Sequence, residues 1–217
     1  SEYIETQQKS AVLYRKNPQF NLITTGKIEQ GRLTFQDQHL KRLRESARYF
    51  AYPFDEEKLK VELNQSLAEL EPSTDYRLRI SIAKSGKVTC QLEKLQALPE
   101  AFCKAILVPQ NANLQQPFTF FKTSYRPHLS LGQQEQIYYD AHGQLLESSI
   151  GNLVLQLDGH LYTPPVELGL LDGIYRQHLL ATGQATEKIL NLDDLKSAEK
   201  IYACNALRGL YELEIDN

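Results

Sequence analysis

Apolar residues return at every second position over Tyr76–Ala83, where Tyr-Arg-Leu-Arg-Ile-Ser-Ile-Ala predicts a half-buried strand. Ser85-Gly86 turns that strand into another over Val88–Leu92. Phe20–Ile28 and Arg32–Phe35, parted by Glu29-Gln30-Gly31, predict two further strands joined by a tight turn. The period changes after them. Leu40, Leu43 and Ala47 fall at helical spacing, so a helix is expected from an Asp37 N-cap to about Phe50, ending before Pro53. Asp55 is expected to cap a second helix, with Leu59, Leu63, Leu67 and Leu70 on one side and Pro72 closing it.

Lys104–Val108 reads as a strand, and the Gln/Asn-rich, aperiodic Gln110–Phe118 reads as a linker. Beyond it, Gln136–Asp140, Leu145–Glu147, Asn152–Leu157 and Leu161–Tyr162 are short strands, with turns at His142-Gly143 and Asp158-Gly159. A helix is expected from about Gly173 to Thr182, stopped by Gly183. Asp193 or Asp194 starts another short one, and Lys200–Cys204 is the last buried strand. Residues 1–19 are polar and weakly patterned. The expected division is a small α+β unit over 1–108, a linker over 109–120 and a second half over 121–217.

Composition narrows the function classes. The chain has 217 residues, 41% hydrophobic and 24% charged, which is enough for a sizeable core and ordinary for a globular protein. A net charge of −3 without a long basic block argues against a nucleic-acid platform. Apolar runs such as Ala105-Ile106-Leu107-Val108 are far too short to span a bilayer, so no membrane partner is expected. No charged-then-apolar leader signals secretion. Cys90, Cys103 and Cys204 form no C-x-x-C pair, and the histidines show no H-x-x-x-H spacing. A reduced, cytoplasmic protein without a zinc site is the expectation.

Three segments can carry chemistry. Lys122 follows the aromatic run Phe118-Thr119-Phe120-Phe121, and apolar surroundings lower a lysine's pKa by disfavouring the ammonium form. The bland alternative is a solvated surface lysine. Glu147 lies on a strand-like run, so it either faces water or is buried. A buried carboxylate facing a pyridine nitrogen attracts its proton by roughly 4 kcal/mol at about 4 Å and an effective dielectric near 20, about three pKa units. Gly173-Ile174-Tyr175 at a helix start offers free amides and the positive dipole end to a phosphate, although Asp172 is also a plausible cap. In this order the segments supply what pyridoxal phosphate needs: an amine, an anion and phosphate donors. Arg42 could add a bidentate phosphate contact, and Arg126 or Arg208 could hold a substrate carboxylate.

The combination resembles a known family. His39-Leu40-Lys41-Arg42-Leu43, Tyr76-Arg77-Leu78-Arg79, Lys122-Thr123-Ser124-Tyr125-Arg126, Glu147-Ser148-Ser149-Ile150-Gly151-Asn152, Tyr162-Thr163-Pro164-Pro165, Gly169 to Arg176 and Asn205-Ala206-Leu207-Arg208-Gly209 follow one another as in the fold-type IV pyridoxal-phosphate enzymes, the class IV aminotransferases. The likeness runs from about Phe20 to Leu210. Within the family the Asn-Ala-Leu-Arg-Gly segment is most similar to the 4-amino-4-deoxychorismate lyase branch, in the compact form found fused to aminodeoxychorismate synthase.

The resemblance implies a two-domain, D-amino-acid-aminotransferase-like fold of the α+β / α/β class and a homodimer. It implies pyridoxal 5'-phosphate as cofactor, with Lys122 as the Schiff-base lysine and Glu147 as partner of the ring nitrogen. Arg42 and the Ile174 and Tyr175 amides would hold the phosphate, with Asn205 and Ala206 lining the same pocket. The implied activity converts 4-amino-4-deoxychorismate, a small-molecule substrate, to 4-aminobenzoate and pyruvate on the way to folate. A transaminase acting on branched-chain or D-amino acids, and a non-catalytic relative, stand as alternatives. The chain departs from the family at Thr24, where a Glu is usual, and at Tyr175, where only the backbone contact carries over.

Overall fold

A computed structural model describes residues 18–110, 117–130 and 132–216. The expectations for residues 1–17 and for most of the linker, 111–116, lie outside the described residues.

The first half builds an antiparallel sheet in the order β2-β1-β3-β4 from β1 (Leu22–Glu29), β2 (Arg32–Leu33), β3 (Tyr76–Ile82) and β4 (Val88–Lys94). Alternation fixes its faces: Tyr76, Leu78, Ile80 and Ile82 point into the core while Arg77, Arg79 and Ser81 stay partly accessible. Helices α1 (Gln36–Phe50) and α2 (Glu56–Ala68) cover the apolar face, packing Leu40, Leu43, Ala47, Leu59 and Leu63 onto Leu22, Ile28 and the β3 residues. At about 25 cal/mol per Å² of apolar surface, each fully buried leucine of that set contributes roughly 1.5–3 kcal/mol. Helix α1 sits close on β1 because Gly26 has no side chain: a Cβ there would lie 2.6 Å from His39 Nε2.

Asp55 caps α2 as expected, its side chain accepting from the Lys58 amide at 3.0 Å. Asp37 does not cap α1. That helix opens two residues earlier, at Gln36 behind Phe35, which is left-handed and makes no side-chain cap. The Phe35 ring is held edge-on to Tyr175 at 6.0 Å, so tertiary packing sets this boundary and Asp37 merely sits in the first turn.

The second sheet has eight strands in the order β10-β9-β8-β11-β12-β5-β6-β7. These are β5 (Lys104–Pro109), β6 (Glu135–Tyr139), β7 (Leu145–Ser148), β8 (Asn152–Leu157), β9 (His160–Thr163), β10 (Ala185–Glu187), β11 (Lys200–Asn205) and β12 (Gly209–Ile215). The expected division after residue 108 cuts through β5, which pairs in parallel with β6 and β12 and so belongs to the larger sheet. Lys200–Cys204 is not the last strand. β12 follows it in an antiparallel hairpin, Ala203 opposite Tyr211. The short strand β10 also adds an unexpected edge.

Helix α3 (Ile174–Ala181) packs on this sheet through Leu179 with Val154 and Cys204. Helix α4 (Leu192–Ser197) is capped by Asn191, not by Asp193 or Asp194; Asp194 instead returns its carboxylate to the Asn191 amide at 2.9 Å, completing a capping box. No described helix is long and apolar enough to cross a membrane.

Candidate active site

Backbone hydrogen bonds place Lys122. The Ile23 amide donates to the Lys122 carbonyl at 3.0 Å, and the Ser124 amide donates to the Asn21 carbonyl at 2.8 Å, so the segment runs as a short extra strand beside β1. The aromatic run before it anchors the same stretch, Phe118 stacking on Phe50 at 5.7 Å and meeting Phe20 edge-on at 5.1 Å. Lys122 therefore points from the smaller sheet into the space between the two sheets rather than into bulk solvent. Burial, helped by the Arg42 and Arg126 guanidiniums, pulls its pKa down to about 7.

The opposite wall comes from the β7–β8 hairpin, where Glu147 pairs with Asn152. Glu147 is 3% exposed, which removes the water-facing alternative. Its Oε2 lies 3.4 Å from Arg126 Nη2, and its Oε1 accepts from the Leu171 amide at 3.4 Å. Burial pushes its pKa up, opposed first by Arg126 and then by the Leu171 amide and Lys122. The turn after it is pinned by Glu135, a fully buried residue whose Oε1 accepts from Ser149 Oγ at 2.6 Å and from the Ile150 amide at 3.0 Å.

The third wall is the start of α3. No side chain caps this helix, leaving the Ile174 and Tyr175 amides available. Gly173 is required by a close approach: a Cβ there would lie 1.9 Å from Asn152 Oδ1. Asn152 holds the preceding loop by donating to the Leu171 carbonyl at 2.7 Å. Arg42 reaches across from α1 to donate to the Asp172 carbonyl at 2.7 Å, and burial lowers its pKa to about 10.

These walls border one pocket, lined by Arg42, Lys122, Arg126, Glu147, Ile174, Asn205 and Ala206 among others. Of the residues picked out by sequence, the Tyr175 side chain turns away towards Phe35 and His178 and contributes only backbone at the helix start. Asn205 shapes the β11–β12 turn, accepting from the Leu207 and Arg208 amides at 3.0 and 2.9 Å and donating to the Ile150 carbonyl at 3.2 Å. Arg208 lies outside this pocket, in a wider cleft that Lys122, Arg77, Arg79, Arg126 and Ser149 also line.

Sequence reasoning missed several members of the site. Thr25 and Asn152 line the inner cavity, and Arg79 faces the outer cleft. The alternation that put Arg79 on the accessible face of a strand was visible; that the face borders a cleft was not. Thr24 is buried and its Oγ1 lies 2.6 Å from His39 Nδ1. His39 is held neutral by burial and by Arg42 and Lys122, with its pKa near 3.

A convergent amine, a buried carboxylate and free helix-start amides backed by an arginine suit a phosphorylated pyridine aldehyde. The fit rests on the residues that share the pocket: Lys122, Glu147, Arg42 and the uncapped start of α3.

Comparison with known proteins agrees with this chemistry. The family described as Amino-transferase class IV matches residues 21–213. A Schizosaccharomyces pombe protein named "Putative aminodeoxychorismate lyase" is 27% identical over 196 residues, covering 83% of this chain and 84% of that protein. The crystal structure of a "Putative amino-acid aminotransferase" from Mesorhizobium loti is 31% identical with a TM-score of 0.79, covering 91% of this chain and 100% of that one. The 4-amino-4-deoxychorismate lyase of Pseudomonas aeruginosa shares the fold, at 21% identity and a TM-score of 0.66 over 90% of this chain and 82% of that one.

Proposed function

The chain belongs to the class IV aminotransferases, fold-type IV enzymes that work with pyridoxal phosphate, and from that premise we propose that it is a 4-amino-4-deoxychorismate lyase releasing 4-aminobenzoate and pyruvate. The observation that carries the reading is the convergence of Lys122, Glu147 and the uncapped start of α3 on one cavity. Bound there, pyridoxal phosphate would supply an aldehyde for capturing an amine and a ring that accepts the electrons of a breaking bond.

The chain's own residues have distinct tasks. Lys122 Nζ would be the covalent anchor for the cofactor and the base for the substrate proton. With a pKa of about 7 it is neutral in a large share of molecules at neutral pH and can take the proton from the ring carbon that bears nitrogen. Glu147 would partner the pyridine nitrogen. Arg42 and the Ile174 and Tyr175 amides would hold the phosphate, with Asn205 and Ala206 lining the same pocket. Arg79 and Arg208 face the substrate side of Lys122 and receive carboxylates there. Loss of the ring proton and of the enolpyruvyl group leaves an aromatic product, so no amino acceptor is consumed.

Support for the lyase over its rival is the S. pombe relative together with the placement of Arg208, from the Asn205–Gly209 segment, on the same cleft as Arg79. Of the four arginines on that cleft, Arg77 and Arg126 are ion-paired, and the other two, Arg79 and Arg208, suit a substrate with two separate carboxylates. The second reading, a transaminase, is favoured by the name of the M. loti structure. We place the enzyme in the cytoplasm as a homodimer, with an aminodeoxychorismate synthase as supplier of its substrate; light scattering checks the dimer.

The test is direct. Purified protein loaded with pyridoxal phosphate should form 4-aminobenzoate, read by its fluorescence, from 4-amino-4-deoxychorismate alone. Absence of product, together with bleaching of the visible chromophore by a branched-chain or D-amino acid and its recovery on adding a keto acid, would select the transaminase. Borohydride treatment followed by peptide mass spectrometry should leave the pyridoxyl group on Lys122; an unlabelled protein removes both enzyme readings.

A further inference from the structure

The loop that follows Lys122 folds back around Glu147. Arg126 Nη2 is 3.4 Å from Oε2, with the arginine side chain 18% exposed and the glutamate 4%. His128, from the same loop, brings Nε2 to 4.0 Å from Oε1 with its own side chain 2% exposed. Neither that nitrogen nor Arg126 Nε finds a hydrogen-bond partner among the described residues. From the other side, the Leu171 amide donates to Oε1 at 3.4 Å. Lys122 completes the set of charged or titratable groups facing the carboxylate.

These neighbours are not equivalent. Burial disfavours the charged form of a carboxyl, so an isolated Glu147 would hold its own proton and could not keep a ring nitrogen protonated. His128 offers no charge in return, since burial and Arg126 push its pKa down to about 4. Lys122 loses its positive charge near neutral pH and is committed elsewhere when covalently engaged. The Leu171 amide is a dipole only. Arg126 alone is permanently cationic and in contact.

We propose that Arg126 is a positioning residue for Glu147, its guanidinium holding the buried carboxylate ionised and aimed into the cavity. The residue that sequence offered as a reader of substrate carboxylate thereby serves the cofactor's acid, and Arg79 and Arg208 keep the substrate role. The proposal rests on Glu147 being the partner of the ring nitrogen, but its first readout does not.

That readout uses the cofactor-free full-length chain with carbon-13-labelled glutamate carboxyls, Glu147 being assigned by its disappearance in Glu147→Gln. In Arg126→Gln the Glu147 titration should move up by about one pH unit or more, and in Arg126→Lys by less. An unchanged midpoint in Arg126→Gln overturns the proposal whether or not the protein binds pyridoxal phosphate. Should Arg126→Gln not fold, the likewise uncharged Arg126→Met takes its place, and no upward movement there overturns it.

The second readout separates cofactor from substrate. Arg126→Gln should weaken pyridoxal phosphate binding by about tenfold or more while an inert aromatic dicarboxylate, 3-(carboxymethoxy)benzoate, binds within about twofold of the parent. Loss of dicarboxylate binding with intact cofactor affinity would return Arg126 to the substrate and overturn the proposal. Failure of both chains to bind pyridoxal phosphate, with the Glu147 titration still shifted, would instead remove the cofactor reading and leave the ion pair standing.

Discussion

Arg42 Nη2 donates to the carbonyl of Asp172 at 2.7 Å, although the two residues lie 130 positions apart. One belongs to the helix that covers the smaller sheet and the other to the turn that opens α3. The bond therefore sets the approach of the two halves and points a guanidinium at the uncapped amides.

A charge-assisted hydrogen bond is worth about 1.5–3 kcal/mol, so Arg42→Gln should raise the Kd for pyridoxal phosphate by about ten- to a hundredfold. Pyridoxal, which lacks the phosphate, should bind the variant and the parent within about threefold of each other. Equilibrium dialysis of both ligands checks this. An equal loss for both would locate the effect in the packing of the halves instead.

The pH dependence of stability follows from Lys122. Its pKa falls from 10.5 to about 7 through burial and the neighbouring arginines. Between those values the unfolded chain binds more protons than the folded one, so stability from this group rises with pH across that window. Below it the folded state carries the full cost of a buried cation. Lys122→Met removes that cost. The cofactor-free variant should melt above the parent at about pH 6, with the gap closing towards about pH 10. Calorimetry across this range checks it, and a gap that does not change with pH would count against a depressed lysine.

The elements were readable wherever one face is buried. The alternation over Tyr76–Ile82 and the helical spacing of Leu40, Leu43 and Ala47 became β3 and α1, because each pattern matched a single core. Asp55 acts locally and was found; the start of α1 depends on a ring from α3 and was not. β12 carries a readable alternation, Leu213 inward between Glu212 and Glu214, but the Asn205–Gly209 segment reads as chemistry and masks the hairpin it turns. For the candidate site, residue types in order pointed to Lys122, Glu147 and the helix start, which the structure brings to one pocket. What sequence does not carry is facing. The contacts of Glu147 with Arg126, His128 and Leu171 come from separate parts of the chain. Arg79 looks like any outward strand residue until the second sheet closes over it.

Gly173 and Asn152 form a second coupled pair. A Cβ at residue 173 would lie 1.9 Å from Asn152 Oδ1, and Asn152 is 4% exposed with its amide already committed to the Leu171 carbonyl. Gly173→Ala should therefore cost about 1–3 kcal/mol, as overpacking does, and weaken cofactor binding by disturbing the helix start. Adding Asn152→Ala relieves the clash, so the double variant should be more stable than the sum of the single losses predicts, by about 0.5 kcal/mol or more. Urea denaturation of the four proteins closes the cycle; strict additivity would show that the loop moves aside freely.

The last prediction concerns Arg79. Among the guanidiniums lining the outer cleft, Arg77 is ion-paired with Glu93, Arg126 with Glu147, and Arg208 donates to the Gln96 carbonyl. The Arg79 guanidinium has no hydrogen bond or ion pair among the described residues, and burial together with Arg77 lowers its pKa. An incoming carboxylate relieves both penalties at once, and a planar fork can meet it with two parallel bonds. Arg79→Gln should raise the KM for the dicarboxylate substrate by about ten- to a hundredfold, with kcat held within about threefold. Arg79→Lys should recover only part of the affinity, since an ammonium cannot form the paired bonds. Arg208→Gln should cost less, because its guanidinium must leave a carbonyl to reach the ligand. Steady-state kinetics on the three variants decide the order. Equal effects of Arg79→Gln on kcat and on kcat/KM would move Arg79 from holding the substrate to stabilising the transition state.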